Sequence, residues 1–122
     1  MSDLRPLIGL PWAVPADPPN SFDCWALVIH VRALMGKHTP SYAQLYENYE
    51  TDGDYFKTPP PEWHMLLTAE TGAVARFGAK HVGVILPDTR IIHSTRRMGV
   101  RVDRASLMDR FGKVTYWETS SA

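Results

Sequence analysis

Two periods run along this chain. In "FDCWALVIHVRALMG" apolar residues fall at 24, 27, 28, 31, 34 and 35, a helical stripe that Gly36 brings to a stop. Asn20, Ser21 and Asp23 all compete for its N-cap. Ahead of it, residues 1–21 are rich in proline and read as extended chain and turns. After it, "SYAQLYENYETDGDYF" reads as a short helix dissolving into an acidic loop. "KTPPPEWHMLLTAETG" reads as a proline-led short helix ending near Gly72. From residue 73 the period changes. "AVARFG", "KHVGVIL", "RIIHSTR", "GVRVDR" and "KVTYWE" are short, rich in β-branched and aromatic residues, and separated by turn signals. Helix first and strands after predicts an α+β domain, an antiparallel sheet packed on the first helix.

Composition narrows this picture. A chain of 122 residues with 44% hydrophobic content is one domain, 1–122, with enough apolar surface for a core. Thirteen basic residues balance thirteen acidic ones, so no excess of positive charge points to nucleic acid. No apolar stretch approaches the roughly 20 residues needed to insert through a bilayer. The N-terminus, "MSDLRPLIGLPWAVPADPP", lacks the basic start and unbroken apolar run of a secretory signal, so the expectation is delivery by other means.

The chemistry centres on one thiol. Cys24 is the only cysteine and falls at the start of the predicted helix, where backbone N–H groups lack intrahelical partners and stabilise negative charge. That position favours thiolate, the nucleophilic form. A thiol also needs a base. Of five histidines, His30, His38 and His64 have ordinary structural readings. His81 and His93 sit in strands joined by one tight connection. If Leu86 pairs with Arg90, a three-residue loop of Pro87, Asp88 and Thr89 places both imidazoles on one face. A two-residue loop would put them on opposite faces. With the odd loop, one ring orients the other as a base. A zinc site built from the same three residues ranks low, because no C-x-x-C or H-x-x-x-H pair occurs, and no metal or cofactor is expected.

The order of residues around the thiol adds a resemblance. "GLPWAVPADPPNSFDCWALV" resembles the opening of the NlpC family of bacterial cell-wall cysteine peptidases, whose fold is papain-like. Gly9, Pro11, Pro19, Phe22, Asp23, Cys24, Leu27 and Val28 fall in register with its pattern. "HVGVIL" and "IIHS" look like the family's histidine strand and the strand after it. The resemblance implies Cys24 as nucleophile, His81 as general base and His93 as its orienter, with the Cys24 amide helping to hold an oxyanion. It places Trp12, Asp23 and Trp25 around substrate, with Asp23 capping the helix. Trp12 stands where the family usually has tyrosine, Pro15-Ala16 replaces Gly-Gly, Trp25-Ala26 replaces Ser-Gly, and Gly72-Ala73 replaces Gly-Asp.

The substrate so implied is a peptidoglycan stem peptide, cut between γ-D-glutamate and a diamino acid. The small size and "DCWALV" look most like the branch found in phage tail assembly. Other tail-tip proteins would then be partners, and the virion tail, made in the host cytoplasm, the location. The alternative is a catalytically silent tail-tip protein that keeps the fold.

Overall fold

The computed structural model describes residues 3–40, 62–78 and 81–119. One helix, α1 (Cys24–Leu34), packs on a six-stranded antiparallel sheet made of β1 (Trp63–Leu66), β2 (Val74–Phe77), β3 (His81–Ile85), β4 (Ile91–Thr95), β5 (Gly99–Asp103) and β6 (Val114–Thr119). The strand order is β1-β6-β2-β3-β4-β5, which places the two histidine strands side by side near one edge. This is the α+β arrangement expected from the order of periods. Among the described residues no helix is long and apolar enough to cross a membrane.

Both ends of α1 are closed by local chemistry. Asp23 takes the N-cap, its Oδ1 accepting from the Ala26 amide at 2.8 Å. Gly36, at φ +79°, ends the helix with the paired bonds of a Schellman motif, Lys37 N–H to Arg32 O at 2.9 Å and Gly36 N–H to Ala33 O at 3.0 Å. Of the predicted stripe, Cys24, Leu27, Val28 and Val31 are buried, while Leu34 at the last turn is exposed.

The sheet carries a core on each face. Val82, Val84, Ile92 and Val100 pack with the helix residues Leu27, Val28 and Val31, whereas Ile85, Ile91, Phe77 and Met108 form a smaller cluster on the other face. The N-terminal segment is fastened along β5 by Gly9 N–H to Val100 O at 2.8 Å and Val100 N–H to Leu10 O at 2.9 Å. That docking requires Gly99. A Cβ there would stand 2.2 Å from the Leu10 carbonyl oxygen, and φ is +70°.

One predicted element is corrected. Trp63–Leu66, expected to lie in a proline-led helix, is a strand paired antiparallel with β6, Trp63 opposite Thr119 and Leu66 opposite Tyr116. The segment is too short to show a period, and the open edge of β6 supplies pairing that an isolated helical turn cannot match. The short helix expected in residues 41–56 lies outside the described residues.

A buried guanidinium ties these parts together. Arg32 is fully buried, and its Nε donates to Thr39 Oγ1 at 2.7 Å, one Nη to the Gly72 carbonyl at 2.5 Å and the other to Glu118 Oε1 at 2.6 Å. Lys37 adds a bond to Glu118 at 3.0 Å. Burial works to raise the Glu118 pKa, yet the bonds from Arg32, the Thr119 amide and Lys37 outweigh it and hold the carboxyl below its ordinary value. Breaking such a pair strands a buried charge. Arg32→Ala is therefore expected to cost about 3 kcal/mol in urea unfolding, and Arg32→Met with Glu118→Leu together much less.

Candidate active site

The hairpin that carries both histidines closes with three residues. Val84 pairs with Ile92 and Ile85 with Ile91, and Leu86 N–H donates to Arg90 O at 2.8 Å, leaving Pro87, Asp88 and Thr89 as the loop. Thr89 supplies the left-handed corner at φ +69°, and Asp88 Oδ1 accepts from the Arg90 amide at 3.1 Å. The odd loop puts both imidazoles on one side of the sheet. His81 Nε2 lies 2.7 Å from His93 Nδ1, with the rings nearly perpendicular at 81°.

A third group completes the chain. Asp103 Oδ2 stands 2.8 Å from His93 Nε2, and Arg101 holds the same carboxylate through Nε to Oδ2 at 2.7 Å and Nη2 to Oδ1 at 3.0 Å. Sequence reasoning missed Asp103, although the signal was present. Thr95 pairs with Gly99, so Arg96, Arg97 and Met98 form another three-residue loop, and His93 pairs with Arg101. Asp103 is then the diagonal neighbour of His93 on the same face. The arithmetic that placed the imidazoles, carried one turn further, places the carboxylate.

The donor–acceptor pattern assigns every ring proton. Burial works to raise the Asp103 pKa, but the hydrogen bonds from Arg101 and His93 outweigh it and hold the carboxyl below the usual range. It is therefore ionised and can only accept. His93 must donate from Nε2, which leaves its Nδ1 as acceptor, so His81 must donate from Nε2. The proton-free nitrogen of His81 is then Nδ1. Burial, followed by repulsion from His93 and Arg110, pushes the His81 pKa down to about 3, so the ring is neutral at pH 7 with Nδ1 free of a proton. His93 is lowered as well, chiefly by burial, with Asp103 pulling the other way. Phe111 stacks flat against His81, ring centroids 4.2 Å apart at 17°, and fixes the plane of the base.

Cys24 arrives from the helix side. It is the first residue of α1 and is 1% exposed. Its segment is tied to the histidine strand by Ser94 Oγ donating to Phe22 O at 2.7 Å, one residue from His93, while Phe22 N–H donates to Pro11 O at 3.0 Å. As the first helical residue, Cys24 places its amide at the N-terminus of α1. Asp23, 2% exposed, aims at backbone amides as a cap does, and burial raises its pKa. Its Oδ2 is buried with no hydrogen-bond partner among the described residues.

The residues expected around substrate divide. Trp12 lines a cleft of about 770 Å³ together with His81, Arg96, Arg97, Arg110 and Phe111. Trp25 is corrected to a core side chain: it is 1% exposed, packs edge-on to Trp63 at 5.8 Å, and donates from Nε1 to Pro40 O at 3.1 Å. A large indole after the thiol satisfies its N–H inward, so its bulk faces away from the cleft. Asp23 likewise offers no surface to a ligand. Outside the site, His30 is half-buried against Phe22 at 5.1 Å, and His38 and His64 are exposed. Among the described residues no group of three or more His, Cys, Asp or Glu is gathered to hold a metal ion.

The relay supplies a buried base whose plane and tautomer are fixed by Phe111, His93 and Asp103. Because Asp103 is ionised, it also stabilises positive charge on His81. Asp103→Asn is expected to lower kcat/KM on the order of 10- to 100-fold, less than the roughly 10²- to 10⁴-fold that a positioned base itself contributes, because the base remains. It is also expected to move the acid limb of the pH profile further down, since a neutral amide no longer favours the imidazolium. A purely structural role for Asp103 would leave that limb in place.

The family model for the NlpC/P60 family matches residues 9–118. Members of that family are generally cysteine peptidases, with cell-wall hydrolysis as the common theme. No curated protein and no solved structure gives a significant match. With its model spanning nearly the whole chain, from the proline-rich segment through β6, this protein belongs to the NlpC/P60 family.

Proposed function

We propose that this protein is a cysteine endopeptidase that hydrolyses peptidoglycan stem peptides between γ-D-glutamate and a diamino acid. We place it as a phage or prophage tail component that opens the wall locally, with other tail-tip proteins as its partners. The observation that carries the reading is the relay from His81 through His93 to Asp103, in a chain whose only thiol begins a capped helix. In the first half-reaction the Cys24 sulfur attacks the γ-carbonyl carbon and its proton passes to His81 Nδ1. The Cys24 amide stabilises the oxyanion. The C–N bond breaks as His81 returns the proton to the departing amine, leaving a thioester. Water then attacks the thioester with His81 again as base, the C–S bond breaks, and a γ-carboxylate and the thiol are released.

Digestion of isolated peptidoglycan with mass analysis of the fragments tests this. New amino groups on the diamino acid are expected with the wild-type chain and none with Cys24→Ala. Fragments cut elsewhere would refute the assigned bond. A second reading is a silent tail-tip protein, favoured by the 1% exposure of Cys24. It is distinguished by intact stem peptides after prolonged digestion.

A further inference from the structure

The cleft beside His81 is lined by cations and by no acid. Arg96 and Arg97 come from the β4–β5 turn and Arg110 from the short 3-10 turn at Asp109–Phe111, and no Asp or Glu joins them among the described residues. The chain as a whole carries no net charge, so this concentration is local. Two of the three guanidinium groups rest on aromatic rings: Arg96 lies 4.7 Å from the Trp12 centroid and Arg110 4.8 Å from the Phe111 centroid. A guanidinium stacked on a ring keeps its N–H donors in its own plane, directed outward, where they match the two oxygens of a carboxylate. Phe111 also stacks on His81, so Arg110 is held one ring away from the base. Neither Arg97 nor Arg110 forms an ion pair among the described residues, whereas the neighbouring Arg101 is occupied by Asp103.

We propose that Arg97 and Arg110 are specificity residues that bind a free carboxylate next to the scissile bond, so that the site selects acidic peptides. This rests on the peptidase reading and names what its cleft requires. A γ-linked glutamyl residue keeps its α-carboxylate, and that group is the one assigned to the arginines. The diamino acid offers carboxylate chemistry as well, and the test separates the two. Repulsion from Arg110 contributes to keeping both imidazoles neutral. A carboxylate on Arg110 offsets that charge and makes His81 a stronger base when substrate is present.

Calorimetric titration of the Cys24→Ala chain separates binding from turnover. The probes are a synthetic γ-D-glutamyl-diaminopimelate peptide, its amide at the glutamyl α-carboxyl, and its amide at the diamino-acid carboxyl. The free acid is expected to bind at least ~10-fold more tightly than the glutamyl amide, the scale of a charge-assisted hydrogen bond. The diamino-acid amide is expected to bind like the free acid. Adding Arg97→Gln and Arg110→Gln removes the preference, and Arg97→Lys with Arg110→Lys keeps most of it. Both arginines are exposed, so these changes leave the fold intact. Equal affinities, a preference that survives both glutamines, loss of affinity only with the diamino-acid amide, or no binding at all would each overturn the proposal. Hydrolysis of the same peptides by the wild-type chain reports separately. Preference without cleavage would refute the peptidase reading and leave carboxylate recognition standing.

Discussion

Cys24→Ala is expected to abolish stem-peptide hydrolysis, lowering kcat on the order of 10⁵-fold or more, the scale at which removing a nucleophile leaves only binding and oxyanion stabilisation. No other cysteine exists to replace it. The stability cost should be small by comparison. Cys24 packs as a small apolar side chain, and alanine removes one sulfur from that packing without exposing a polar group. Cys24→Ser is the stricter variant, because it keeps the shape and changes only the nucleophile. Its hydroxyl holds its proton far more tightly than a thiol, and the expectation is again no detectable cleavage. Hydrolysis at wild-type rate in either variant would remove the thiol from the mechanism.

The second large effect belongs to His81. His81→Ala is expected to lower kcat/KM on the order of 10⁴-fold, the upper range for loss of a positioned base. His93→Ala should cost less, since it orients the base without exchanging a proton with substrate. The wild-type pH profile carries the sign of the His81 environment. The ring must be neutral to accept the thiol proton, and its pKa is pushed down from 6.5 to about 3. Activity is therefore expected to persist well below pH 6.5, where an ordinary imidazole is already protonated. Its fall at low pH should come several units lower than for an exposed histidine. A half-point near pH 6.5 would mean that His81 is solvated during turnover.

Much of this arrangement is legible in the sequence, and for a physical reason. Strand alternation has a period of two, so the length of the 87–89 loop alone decides whether His81 and His93 share a face. The capping side chain was narrowed to three residues, and packing selected Asp23 because its carboxylate reaches the Ala26 amide. What could not be read depends on partners distant in the chain. Trp63–Leu66 is a strand because β6 offers an edge, a fact held some fifty residues away. Arg32 falls outside the apolar stripe of the helix. It is buried because Glu118, Thr39 and Gly72 converge on it from other elements. Trp25 followed the thiol closely enough to be taken for a substrate contact, but helical geometry turned it toward Trp63. Asp103 was within reach of the sequence, and only the second hairpin's register was left undrawn.

The central claim is that the Cys24 sulfur hands its proton to a buried, neutral His81. The rate of Cys24 alkylation by iodoacetamide, followed from pH 5 to pH 9 in the wild-type and His81→Ala chains, tests it most directly. Wild-type alkylation is expected to be faster than that of His81→Ala between pH 5 and pH 7, where a free thiol of pKa about 8.5 is almost wholly protonated and a neighbouring base must take its proton. A wild-type rate that falls tenfold with each pH unit, and that His81→Ala leaves unchanged, would contradict it.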